Sequence, residues 1–256
     1  MQGLDIRLFP CLNDNYGVLI HDADSGLTAS IDAPEEEAVE KALQEAGWKL
    51  THIFVTHHHA DHTQGIPGLK AKYGCKVVGP RAEADKVPGI DEALGEGDTF
   101  QFGRFEAKIF VPPGHTLGHI SWWFPDPGVL FAGDTLFALG CGRVFEGTMD
   151  QMWASLEKLG RLPRETLVFC GHEYTQANAR FAVTIEPDNI HLQARVGEIE
   201  EKRARGEPTV PSTIGAELDS NPFLRADRDE VKMAVGMPNA EPAAVFAEIR
   251  GRKDRF

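Results

Sequence analysis

Hydrophobic and polar positions alternate in short runs at the start of the chain. LDIRLFP, YGVLIHD and LTASIDA, each bounded by Asn, Asp, Gly or Pro, predict three β-strands. The period then changes. In PEEEAVEKALQEAG, Val39, Leu43 and Ala46 recur at helical spacing behind Pro34 and a run of acids, and Gly47 ends the segment, so a helix is expected. THIFVTHHH reads as a buried strand, TQGIPGLKAKYG as a short helix and CKVVGP as another strand. Strand signals return from FEAKIFVPPGHT through ISWWFPDPGVLFAGDT, with a Pro-Asp-Pro-Gly turn between two apolar runs. DQMWASLEKLGRLP predicts a helix, and TLVFCGHE is the last convincing strand. From Tyr174 the texture becomes that of polar helices such as HLQARVGEIEEKRARGE, broken by Pro and Gly. Two domains are therefore expected, residues 1–173 of α/β class and residues 174–256 helical. No short-period repeat is present.

Composition narrows the classes of function. With 42% hydrophobic and 25% charged residues in 256, the chain can bury a generous core and is not of disordered type. A net charge of −13 argues against general nucleic-acid binding, which needs a basic surface. The N-terminal segment has no basic stretch leading into an apolar one, and no run approaches the roughly 20 apolar residues of a membrane span. A cytoplasmic monomer, off the membrane, is expected. Cys11, Cys75, Cys141 and Cys170 are widely spaced and form no C-x-x-C pair, so free, buried thiols are expected.

Candidate chemistry concentrates in THHHADH, which holds four of the chain's ten histidines. On extended backbone His57 and His59 point the same way, so both can grip one ion. Asp61 and His62 follow where the strand breaks and can turn to a second position, while His58 points away. The competing reading makes Asp61 a helix N-cap beside solvent-facing histidines. The pattern H-x-H-x-D-H should arise by accident in roughly one such chain in a thousand, which favours ligation. Further ligands must come from other strand ends. PPGHTLGH offers His115 and His119, FAGDTLF offers Asp134 and FCGHEYT offers His172, each after an apolar run and beside Gly.

These four segments, in this order, resemble the signature of the metallo-β-lactamase fold superfamily. Within it, GCGRVFEGT, EPTVPSTIGAELDSNPFLR and the terminal IRGRKDRF resemble the hydroxyacylglutathione hydrolases, also called glyoxalase II, and the similarity runs over essentially the whole chain. The resemblance implies a four-layer αββα sandwich followed by a smaller all-α domain that closes over the active site. It implies two divalent metal ions, zinc first, with iron or manganese as other occupants. One ion would take His57, His59 and His115, the other Asp61, His62 and His172, and Asp134 would bridge them. Asp61 and Asp134 would thereby hold the pair around a metal-bridging hydroxide, the nucleophile. His119 is left with a structural role. Thr56, Thr116, Thr135 and Asp32 are candidates for orienting the ligands.

A shared hydroxide on two ions makes a hydrolytic site, and the chain lacks G-x-S-x-G, H-E-x-x-H and Walker A alternatives. A thioester suits it, because a thiolate of pKa near 8.5 leaves with little protonation. The acidic chain turns basic at its end, where IRGRKDRF carries four cations against Asp254. Spacing alone fits a solvated helix terminus. The resemblance assigns Arg250 and Lys253, on one helical face, to the glycine carboxylate of a glutathione thioester, and Arg143, Phe145 and Tyr174 to the rest of the substrate. Arg143 stands where the animal enzymes have Lys, and Phe145 where they have Tyr. The lost hydroxyl would cost about 0.5 to 1.5 kcal/mol of affinity. The expected reaction is hydrolysis of S-(2-hydroxyacyl)glutathione, chiefly S-D-lactoylglutathione, in methylglyoxal detoxification. Rivals are a β-lactam or lactone hydrolase, a single-iron persulfide dioxygenase, a nuclease sharing H-x-H-x-D-H, or a purely architectural metal module.

Overall fold

The alternation of the first runs is realised in a six-stranded sheet. In the computed structural model, which describes residues 3–256, β1 (Asp5–Cys11), β2 (Asn15–Asp22) and β3 (Leu27–Ile31) pair antiparallel in sequence order. After α1 (Glu36–Ala46), the sheet continues in parallel with β4 (His52–Phe54). The short helices α2 (Ala60–Thr63) and α3 (Ile66–Tyr73) lead to β5 (Lys76–Pro80), and β6 (Glu92–Leu94) completes the order. The helix expected at residues 34–47 ends as read, with Gly47 in the left-handed region at φ 71°. Its buried face is Val39, Ala42 and Leu43, whereas Ala46 is only half-buried in the last turn. The strand read in THIFVTHHH is ladder-paired only over three residues, because the chain beyond it turns into the loop that carries the histidines.

A second sheet begins with an antiparallel meander of β7 (Thr99–Phe102), β8 (Phe105–Phe110), β9 (Ser121–Phe124) and β10 (Val129–Gly133). Successive side chains of a strand face opposite ways, and β4 uses both faces. Ile53 packs with Val39, Leu43, Ile66 and Leu69 under the helices. Phe54 faces the meander, stacking on Trp122 at 4.5 Å and meeting Phe100 and Phe102 edge-on at 5.3 Å. The Trp122 indole N–H, buried between the sheets, donates to the Val55 carbonyl at 3.2 Å, satisfying a group that would otherwise be costly to bury.

Contacts along the chain divide it into two compact units, one holding the residues up to 111 with Gly118–Gly133, the other Pro112–Leu117 with Asp134–Phe256. The elements above belong to the first. The second begins with a tight hairpin of β11 (Leu136–Phe137) and β12 (Gly140–Cys141). Helix α4 (Met149–Gly160) follows, started by a capping box in which Thr148 and Gln151 bond reciprocally. After β13 (Leu167–Cys170) come α5 (Thr175–Ile185) and α6 (Ile190–Ala204), which bury Ala179, Ala182, Leu192 and Ile199 around Leu139. A two-residue strand β14 (Ser212–Thr213) pairs with β13, followed by α7 (Ile214–Ser220), α8 (Asp229–Ala234) and α9 (Pro242–Asp254). The C-terminal part is thus helical apart from β14, which is too short for any sequence period to announce. Among the described residues, no helix is long and apolar enough to cross a membrane.

Candidate metal centre

The first unit gathers four of the seven predicted ligands where β4 ends. His57 and His59 come together on the loop after the strand, with Nε2 of His57 3.1 Å from Nδ1 of His59. Asp61 and His62 lie on α2, with Asp61 Oδ2 3.7 Å from His62 Nε2. Helix α2 starts from His59, so Asp61 is not its N-cap.

One buried carboxylate orders this loop. Asp32, in the left-handed region at φ 56°, accepts from the Thr56 amide (2.7 Å), the Thr56 hydroxyl (2.8 Å) and His62 Nδ1 (2.7 Å). Since the Thr56 hydroxyl donates to Asp32, it is an acceptor for His57 Nδ1 at 3.0 Å. Both rings then carry their proton on Nδ1 and turn an Nε2 lone pair inward. His57 Nε2 thus faces another imidazole nitrogen and His62 Nε2 faces a carboxylate oxygen. Acceptor facing acceptor at such distances repels unless a proton or a cation lies between them, and these donor types suit a divalent ion.

Neighbouring side chains fix the rest of the loop. Asn15 donates its amide to both the carbonyl and Oδ2 of Asp61 at 3.1 Å. His58 meets the ring of His59 edge-on with centroids 5.0 Å apart, so it is not turned clear of the other histidines, but its polar atoms go elsewhere. Its backbone N–H and Nδ1 both lie 2.9 Å from Oε2 of buried Glu83, whose other oxygen accepts from the Gly118 amide at 3.0 Å. Buried His119 stacks on His57 with ring centroids 4.9 Å apart, a packing position. Asn15 and Glu83 had no sequence signal: one sits at a strand start after a turn, the other at the end of a single 3-10 turn, Arg81–Glu83, in a charged stretch.

The second unit holds the remaining three. His115 lies in the loop from Pro112, Asp134 directly after β10 and His172 two residues after β13. Asp134 Oδ2 is 3.5 Å from His115 Nε2 and 3.2 Å from His172 Nε2. The Arg143 carbonyl accepts from His115 Nδ1 at 2.9 Å, so this ring too offers a bare Nε2 to a carboxylate. Gly142 makes that approach possible, because a Cβ there would overlap the Asp134 carbonyl oxygen.

The residues assigned to substrate lie in the same unit. Phe145, 62% exposed, leans on His115 with centroids 5.3 Å apart, and Tyr174 stacks flat on His172 at 4.7 Å. On α9, Arg250 is only 4% exposed. Its guanidinium donates to the Cys141 carbonyl (3.0 Å) and to Asp254 (2.9 Å) and lies over Phe223. Lys253 is half-buried, donates to the Ala177 carbonyl at 3.2 Å and sits over the Phe181 and Phe256 rings. Burial, followed by the nearby Arg250, Arg180 and Arg143 charges, holds its pKa below the usual lysine value. The side chain of Arg143 is largely exposed, 3.9 Å from Asp254. All four cysteines are free and buried. Burial raises the Cys141 thiol to about 11 and Cys170 to about 12, so neither is a nucleophile at neutral pH.

Residues 23–172 match the model of the metallo-β-lactamase superfamily, and the class of protein is that of its hydrolases. A solved B3 metallo-β-lactamase has the same fold, with a TM-score of 0.67 at 21% identity over 86% of this chain and 99% of that one. ETHE1 from Myxococcus xanthus aligns with a TM-score of 0.66 at 26% identity, covering 97% and 98%. Residues 173–256 match the model described as hydroxyacylglutathione hydrolase C-terminus. The hydroxyacylglutathione hydrolase of Rhizobium meliloti is 53% identical over 256 residues, all of both chains, and that of Brucella anthropi 54% over 253 residues, 99% of this chain and 97% of the relative. The chain belongs to the hydroxyacylglutathione hydrolase family.

Proposed function

We propose that the protein hydrolyses S-(2-hydroxyacyl)glutathione, chiefly S-D-lactoylglutathione, to glutathione and D-lactate. The observation that carries this reading is the full-length match to relatives named for that activity, at 53–55% identity. Residues 1–173 serve as the catalytic part and residues 174–256 as the substrate-binding part of a monomer. Four free cysteines suit a reducing cytoplasm.

His57, His59 and His115 would hold one divalent ion and Asp61, His62 and His172 a second, with Asp134 shared. Within the first unit His57 lies against His59 and Asp61 against His62, and within the second Asp134 lies against His115 and His172, which supports this allocation. Zinc fits the imidazole-rich set best, with iron or manganese as other occupants. Such ions supply a nucleophile at neutral pH by lowering the pKa of water from 15.7 toward about 7, and they stabilise developing negative charge. The chain's own residues do the rest. Asp32, Thr56 and the Arg143 carbonyl keep the Nε2 lone pairs aimed inward. Phe145, tilted against His115, and Tyr174, stacked on His172, wall the substrate. No side chain is needed as acid for the leaving group, because a thiolate departs unassisted.

Arg250 and Lys253 meet the glutathione carboxylate, with Arg143 as a further substrate contact, and Arg250 also braces the Cys141 carbonyl. Lys253→Ala is expected to raise KM about tenfold with little change in kcat, since the contact lies far from the reacting carbon. Because the Lys253 pKa is lowered, KM should also begin to rise with pH earlier than an ordinary lysine would cause. A pure kcat loss would remove Lys253 from this role. The substrate reading itself is tested by following loss of thioester absorbance with S-D-lactoylglutathione and metal-replete protein. Rapid turnover is expected, and negligible turnover overturns it.

A further inference from the structure

We propose that Glu217 and Asn221 are positioning residues for the metal centre, acting through the β11–β12 hairpin. The inference rests on the metal-centre reading above. Both side chains are fully buried. One carboxylate oxygen of Glu217 accepts from the Leu139 amide at 2.8 Å and the Asn221 amide at 2.9 Å. The other accepts from Arg195 Nη2 at 2.8 Å and from the Ser212 hydroxyl. Asn221 also donates to the Gly140 carbonyl at 3.0 Å and the Phe137 carbonyl at 3.3 Å. Two side chains from α7 and the residue after it therefore hold the backbone of the hairpin's strands and of its turn.

The turn needs such holding. Leu139 sits at φ 56°, a left-handed conformation that a leucine adopts only when its surroundings impose it. What the hairpin carries explains why it is held so firmly. Asp134 lies two residues before β11 and Gly142 directly follows β12. The Gly142 amide donates to the Thr135 carbonyl at 3.1 Å, and its α-carbon lies against the Asp134 backbone. The next carbonyl, that of Arg143, fixes the proton of His115. One end of the hairpin thus delivers the shared carboxylate, and the other sets the tautomer of a histidine ligand. A shift of the hairpin displaces both.

Stability alone is a poor reason for this network, because a buried ion pair such as Arg195–Glu217 is often matched or exceeded by apolar packing. Its donors and acceptors are aimed at backbone, where they specify position.

The test uses the full-length protein with Glu217→Gln, which cannot accept from all four donors, and Asn221→Ser, which can still cap Phe223 but cannot reach the hairpin carbonyls. Asp219→Ala, on the same helix but in the surface pair with Arg164, is the control. Both test variants are expected to bind zinc about 10- to 100-fold more weakly in a chelator competition, to show an altered cobalt absorption spectrum and to lose kcat more than they raise KM. The control should match the wild type in all three. Variants with a lowered melting temperature but wild-type zinc affinity, spectrum and kcat overturn the proposal. If a variant does not fold, hydrogen exchange on the wild type decides. Zinc should slow exchange of the Leu139 and Gly142 amides by tenfold or more, and unchanged rates overturn the inference. The zinc and exchange measurements need no substrate, so failure of the thioester assignment would be seen separately, as wild-type protein that binds metal but leaves S-D-lactoylglutathione intact.

Discussion

Asp134→Ala protein is expected to fold and to lose about 10³-fold in kcat, with at least one equivalent of metal lost on purification. Asp134 is buried, and one of its oxygens stands 3.2 Å and 3.5 Å from the Nε2 atoms of His172 and His115. In the proposed centre it is the only carboxylate shared by both ions, so its removal affects both positions. Charge stabilisation by a bound metal amounts to several kcal/mol, and each 1.36 kcal/mol is a factor of ten in rate, which gives the expected magnitude. The fold should survive, because the strand that precedes Asp134 is held by its own ladder and by buried Leu130, Phe131 and Ala132. Elemental analysis beside steady-state kinetics on S-D-lactoylglutathione checks both halves of the expectation. Full kcat with two retained ions would take Asp134 out of the site.

Asp32→Ala is expected to cost about 10- to 100-fold in metal affinity and about 3 kcal/mol in stability. The first figure is that for losing a partner that orients metal-binding histidines. The second follows from leaving the Thr56 amide, the Thr56 hydroxyl and His62 Nδ1 without their acceptor in a buried place, at about 1–3 kcal/mol each and not additively. Asp32→Asn should separate the two effects. Asparagine tolerates the left-handed φ of 56° and keeps one acceptor oxygen, so it should recover part of the stability. It presents no anion to His62, so the metal affinity should stay low. Denaturation of the metal-free and metal-loaded variants distinguishes the cases. An alanine variant as stable and as well loaded as the wild type would show that Asp32 orders nothing.

Much of the first unit is legible in the hydrophobic pattern. Period-two runs and their turn residues mark the strands, and Gly47 stops α1 where a left-handed residue is needed. THHHADH announces a metal site because so dense a set of ligand types is improbable by chance. Alternation separates His58 from the pair only in part, since its ring meets His59 edge-on while its Nδ1 turns to Glu83. What the pattern does not carry is the second partner of each ring. Asp32 precedes the Thr56 it orders by 24 residues and His62 by 30. His115 takes its orientation from a carbonyl 28 residues later, and backbone carbonyls have no residue type to recognise. Nor does the terminal IRGRKDRF distinguish its cations. Arg250 and Lys253 share a helical face, yet the first is sealed against Cys141 and Phe223 while the second is only half-buried.

The sequence by itself therefore determined the elements, the residue types that can hold metal and the order in which the chain presents them, because periodicity and composition are local properties. Tertiary structure alone decided that His57, His62 and His115 offer Nε2, that Arg250 is buried where Lys253 is only half so, and that Glu217 and Asn221 hold the hairpin beside Asp134. These depend on hydrogen bonds between residues tens of positions apart, where direction and distance, not residue type, set the chemistry.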